Sequence, residues 1–182
     1  AAIAPPHQRH PGGVRVASAT DGPNTSDSQS VFEAMRAAAY LSRGRSLDPR
    51  EWLSVGDVFQ MATMGGAALL GLPGIGRIAA GYQADLVMLD LRHVSYLPLH
   101  DPLLQVVGGE SGLAIEGVMI GGRWALRDGR VLTVDEERLR ARVHEAAARL
   151  TPGIRSRIAL SKALEPYLDA FCLAQSQRPL QM

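Results

Sequence analysis

The chain has 182 residues, 46% of them hydrophobic and 20% charged, which is enough for a real core but short for two large domains. Its 19 basic and 18 acidic residues leave a net charge of +1 with no basic block, so nothing in the charge points to nucleic acid or a membrane surface. No apolar run approaches the roughly 20 residues of a membrane span, and a single cysteine, Cys172, excludes an internal disulfide and a cysteine zinc cluster.

Residues 1–12 carry Pro5, Pro6, Pro11 and Gly12 without periodicity and read as an irregular lead-in lacking the charged and apolar zones of a signal peptide. A reducing, cytoplasmic setting is the expectation. His7 and His10 lie three apart there, but the flanking prolines oppose the helix that would let both touch a metal.

Val14 to Ala19 is a short, mostly apolar run that begins with β-branched residues and stops at Asp21-Gly22-Pro23. It is expected to be a buried strand. The glycine and proline turn the chain just after the acid and leave Asp21 at the strand's C-terminal mouth, where parallel barrels place their chemistry. The competing reading is an Asx turn, in which the carboxylate bonds its own backbone two residues on.

Ser28 or Ser30 can cap a helix whose apolar positions Val31, Phe32, Met35 and Ala38-Ala39 recur at helical spacing, ending near Ser42. Ser54-Val55-Gly56-Asp57 can form a capping box for a second helix, with Val58, Met61, Ala62, Gly65, Leu69 and Leu70 on one face and Gly71 as its stop. The small residues Gly65 to Ala68 imply a close approach by a neighbouring backbone.

From Gly71 the sequence changes to Gly-bounded short apolar runs. Asp85 to Asp90 has strand length, and Gly117 to Ile120, Arg123 to Arg127 and Arg130 to Leu132 are joined by Gly121-Gly122 and Asp128-Gly129, the turns of tight hairpins. A β layer between Ile75 and Leu132 is expected. Thr133-Val134-Asp135 can cap an amphipathic helix to Leu150 with Leu139, Val143, Ala146 and Leu150 inward. Thr151-Pro152-Gly153 should end it, and Ile158 to Phe171 should form one more helix.

The ordered series Ala19-Thr20-Asp21-Gly22-Pro23, Phe32 to Arg36, Met61 to Ala67, Gly76 to Val87, Pro98-Leu99-His100-Asp101-Pro102, and Val118 to Arg123 through Asp128-Gly129-Arg130 resembles the C-terminal part of a metal-dependent amidohydrolase. The likeness runs from Gly13 to Leu150 and is nearest the branch that deaminates or dechlorinates nitrogen heterocycles. The fold class it implies is α/β: the C-terminal fragment of a (β/α)8 barrel, a small composite β-sandwich, and C-terminal helices. The expected divisions are 1–12 lead-in, 13–72 last barrel strand and following helices, 73–134 sandwich portion, and 135–182 terminal helices.

By that resemblance Asp21 matches the aspartate that binds the catalytic metal, zinc or iron(II), and takes a proton from the attacking water. Asn24, just after it, is a candidate substrate contact, with helix capping as the plainer role. Asp85, Asp101 and His100 read as structural members of the motifs, and His93 and His144 as surface or packing residues. The implied partner is a small-molecule substrate, with no nucleic acid and no membrane, and family members often form homo-oligomers. The chain departs from the family pattern in having no His-x-His among His7, His10, His93, His100 and His144, no two further histidines at middle strands and no proton-shuttling glutamate. A complete barrel takes about 250 residues, so the chain looks like the last third of such an enzyme. Two readings follow: one portion of an aminohydrolase, or a truncated or accessory chain that is not catalytic alone.

Overall fold

The computed structural model describes residues 16–26 and 28–176. The expected lead-in with His7 and His10, and the first two residues of the expected strand, lie outside them. Two compact units divide at Thr133 and Val134.

In the first unit the core is made by helices. After a single turn, α1 (Pro23–Ser26), comes α2 (Val31–Arg43), capped by the Ser30 side chain accepting from the Glu33 N–H; the Ser28 hydroxyl in turn accepts from the Ser30 N–H. Its apolar stripe buries Met35 and Ala39, with Phe32 and Ala38 packed beside them. Helix α3 (Val55–Gln60) starts at the expected capping box: the Asp57 N–H donates to the Ser54 hydroxyl and the Ser54 N–H to the Asp57 carboxylate. Ser42, buried near the end of α2, donates to the Ala39 carbonyl at 2.8 Å and accepts from the Leu53 N–H at 3.0 Å, which fastens one helix to the approach of the next.

Helix α3 continues through a π-helical turn, Met61–Gly65, into α4 (Gly66–Leu69). The sequence places Leu69 and Leu70 on the same apolar face as Val58, but they are exposed while Val58 is fully buried. The π turn explains the difference, because one extra residue in a turn carries every later side chain about 100° round the axis. Gly71 stops the helix with φ of 67°, and the Leu72 N–H reaches back to the Ala67 carbonyl, closing a Schellman-type end.

The sheet is antiparallel in the order β1 (Leu86–Leu89), β2 (Ile115–Ile120), β3 (Arg123–Arg127) and β4 (Arg130–Val131). Both hairpin turns have positive φ at both central residues, Gly121 and Gly122, then Asp128 and Gly129, which matches the twist of the strands they join. Between β1 and β2 runs a helix that the sequence reading passed over, α5 (Pro102–Gly109), whose Val107 completes the core with Met35, Ala39 and Val58. Asp101 caps it and Pro102 occupies its first turn, the Asp-Pro signature that would have revealed it.

Two expectations are corrected. Residues Val16 to Thr20 form no strand; a strand needs a neighbour for its N–H and C=O groups, and among the described residues the Ser18 N–H instead donates to the Met61 carbonyl at 3.1 Å. In the second unit a single helix, α6 (Glu136–Ser176), replaces the expected pair, running through Pro152 and Pro166. Asp135 caps it as expected, its carboxylate accepting from the Arg138 N–H. Leu139, Val143 and Leu150 are exposed along it and no described residue of α6 is buried, so burial within this unit gives the chain no cause to turn at Pro152-Gly153.

Candidate active site

Asp21 follows the Val16 to Thr20 segment and precedes Gly22, whose φ of 93° only glycine adopts readily, and then Pro23, the first residue of α1. The residue is exposed, and among the described residues its carboxylate has no hydrogen-bond or ion-pair partner. The Asx bond that would have made it a turn-former is therefore not formed. Asn24 lies within α1 on the same loop; its side chain is outside what the structure describes.

Among the described residues, Asp85, Asp101, His100 and His93 have plain structural work. Asp85 accepts from the Gly121 N–H at 2.6 Å, holding the β2–β3 turn. Asp101 accepts from the Leu104 N–H at 3.0 Å. His100 sets its Nδ1 3.0 Å from the Pro98 carbonyl, and His93 accepts from the Ser95 N–H at the start of the turn Val94–Tyr96. His144 is exposed on α6.

One carboxylate has many partners. Glu110, 1% exposed, accepts the Tyr96 hydroxyl at 2.6 Å and the N–H groups of Ser111 at 3.0 Å, Gly112 at 2.6 Å and Ala114 at 3.3 Å. Its own backbone carbonyl accepts from Arg36 of α2, which also reaches the Val107 carbonyl. Burial pushes the Glu110 carboxyl up, but the Tyr96 hydroxyl and the three amides outweigh it and leave the pKa below the usual value. Burial, and then the bond to Glu110, push the Tyr96 phenol well above its ordinary range. This knot ties α2, α5 and the entry to β2 together. The sequence reading missed it, although an acid followed by Ser-Gly-x-Ala is the composition of a turn whose amides can cradle a carboxylate.

A metal needs converging ligands. Among the described residues no three His, Cys, Asp or Glu side chains come together to hold one, so Asp21 fits as a single ligand and the described residues do not complete a set.

The amidohydrolase family model matches residues 3–125. The chain belongs to the amidohydrolase family. Among its curated relatives is a 5-methylthioadenosine/S-adenosylhomocysteine deaminase of Pyrococcus abyssi, 37% identical over 126 residues, which are 69% of this chain and 29% of the relative. A 5'-deoxyadenosine deaminase of Methanothermobacter thermautotrophicus is 36% identical over 76% of this chain and 32% of its own length. Among solved structures, an adenosine deaminase from Xanthomonas campestris with bound zinc matches with a TM-score of 0.72 and 31% identity, covering 76% of this chain and 32% of that one. The zinc complex of an atrazine chlorohydrolase from Arthrobacter aurescens matches with a TM-score of 0.68 and 28% identity, over 73% of this chain and 30% of that one. The chain thus spans about a third of the length of the relatives it matches. No helix among the described residues is long and apolar enough to cross a membrane.

Proposed function

We propose that this chain is the C-terminal portion of a divalent-metal aminohydrolase, carrying the last barrel segment and part of the β-sandwich, and that its substrate is an adenosine-type nitrogen heterocycle. The observation that carries the reading is Asp21: an exposed carboxylate without a partner among the described residues, on the loop that follows the segment matched to the barrel's final strand. The chain's likeness to deaminases of adenosine derivatives supports the substrate class. A divalent metal, zinc or iron(II), lowers the pKa of water toward about 7. The part of Asp21 is to help hold that ion and to accept at a carboxylate oxygen the proton that water loses as it adds to the amino-bearing ring carbon. The proton then goes to the departing nitrogen, so that water is consumed and ammonia released. Asn24 follows on the same loop and is the candidate contact to the ring.

The histidine ligands of the family must come from residues outside this stretch, so the 182 residues alone are expected to turn nothing over. Partners are proposed to be the small-molecule substrate and further copies of the same enzyme, with no nucleic acid and no membrane, in the cytoplasm. The test is ammonia release from adenosine derivatives by the complete encoded product, wild type against Asp21→Asn. The amide keeps an oxygen and loses the base, so turnover is expected to fall by about two to four orders of magnitude. Near-normal turnover in the variant would remove Asp21 from the chemistry. A metal-loaded wild type that releases no ammonia from any nitrogen heterocycle would remove the deaminase reading.

A further inference from the structure

We infer that Gly65, on the π turn between α3 and α4, is a positioning residue for Asp21; this rests on the role proposed for that aspartate. A Cβ built on Gly65 would lie 2.7 Å from the Val16 carbonyl oxygen, 3.1 Å from the Gln60 carbonyl oxygen of the same helix and 3.7 Å from the Ala17 Cα. All three are backbone atoms, which cannot step aside as a flexible side chain can, and the tightest is Val16, so the missing side chain is what lets Val16-Ala17 lie against the helix. Four residues earlier in the same π turn, the Met61 carbonyl accepts the Ser18 N–H at 3.1 Å. Two contacts one turn apart therefore fix three successive residues, 16 to 18, and Asp21 follows three residues later.

The helix is braced from another direction. Gly76, with φ of 86°, packs so closely that a Cβ there would lie 3.0 Å from the Thr63 carbonyl oxygen and 3.1 Å from both the Met64 Cα and the Ala67 Cβ. With the loop carrying Gly76 pressed on it, the helix has little freedom to retreat from a side chain at position 65. A methyl group there must displace the Val16–Ser18 backbone, and the displacement passes along the chain to Asp21. Misplacing a reacting group by about 1 Å costs on the order of a hundredfold in rate.

The neighbouring glycine supplies a matched control. A Cβ on Gly66 meets nothing within 4 Å, so Gly66→Ala makes the same chemical change on the same helix without touching the segment. In the complete encoded product, Gly65→Ala is expected to lower kcat about 10- to 100-fold with KM changed less than about threefold, while Gly66→Ala changes neither. Amide hydrogen exchange gives a readout independent of turnover: exchange across residues 16–20 should accelerate in Gly65→Ala while residues 55–69 stay protected. If Gly65→Ala fails to fold, Ser18→Pro, which removes the N–H that Met61 accepts and also restricts the backbone at residues 17 and 18, should give the same selective fall in kcat.

Unchanged kcat in a folded Gly65→Ala, or a fall that Gly66→Ala reproduces, overturns the inference. A loss of protection spread over residues 55–69 also overturns it, since the glycine would then serve only helix stability. Asp21→Asn separates the two levels: if it is fully active, the role of Asp21 fails and the inference with it, and if it is inactive while Gly65→Ala is not, the inference fails alone.

Discussion

Two carboxylates divide this molecule. Glu110 is buried and accepts bonds from a phenol and three backbone amides, whereas Asp21 is exposed and has no partner among the described residues. An acid whose two oxygens both accept from its own chain is part of the framework. An acid on a loop with its oxygens unpaired among the described residues leaves them open to water, and its cost to stability is small because water still solvates it. The contrast separates a framework acid from the acid proposed for catalysis, which sequence position does not do, since both stand beside glycine.

The comparison predicts opposite outcomes for the two sites. Asp21→Asn should have the largest effect on turnover, about two to four orders of magnitude, with the melting temperature nearly unchanged; a clear drop in melting temperature would mean the residue is structural after all. Glu110→Ala should do the reverse. It strands a buried hydroxyl and three amides, at a cost of about 3 kcal/mol or more in urea unfolding, and leaves the exposure of Asp21 untouched.

The Glu110 knot also sets a pH window. Its carboxyl has a folded pKa below the unfolded value near 4.5, so its contribution is fully present above that value and lost as pH falls through the lower folded one. Tyr96 works in the opposite sense. Its folded pKa is raised above the unfolded value near 10, so its contribution holds below pH 10 and is lost as pH climbs toward the raised value. Unfolding midpoints measured from pH 3 to 11 should show a plateau between these limits, and Glu110→Gln should flatten the acid side. An acid limb unchanged in that variant would mean that other carboxyls carry it. The smallest expected effect is at the capping box: Ser54→Ala should cost about 1 kcal/mol, measured in the same way, through the lost acceptor for the Asp57 N–H.

Local chemistry made much of this fold legible. The hairpins at Gly121-Gly122 and Asp128-Gly129 were readable because few residue pairs tolerate two positive φ angles in succession. The Ser30 and Ser54 caps, and the stop at Gly71, were readable because the orphan groups at helix ends need particular side chains or glycine. The turn bearing Asp21 was legible for the same kind of reason, an acid followed by Gly-Pro.

What the sequence could not supply concerns groups brought together from far along the chain. A strand for Val16 to Thr20 depends on a neighbour to pair with, and an end for the last helix at Pro152 depends on something for a second helix to pack against; local composition carries neither. The π turn at Met61–Gly65 rotates the following leucines away from the core, a phase change that a 3.6-residue period cannot anticipate. Glu110 and Tyr96 lie 14 residues apart, and Gly65 and Val16 lie 49 apart in number, so their pairing is decided by how whole elements pack. Composition and turn chemistry by themselves determined the hairpin turns, the helix caps and where an acid is presented, because those are energies of a few neighbouring residues. Tertiary structure alone decided which acid is consumed by the framework and which has no partner among the described residues, because that depends on donors arriving from distant segments.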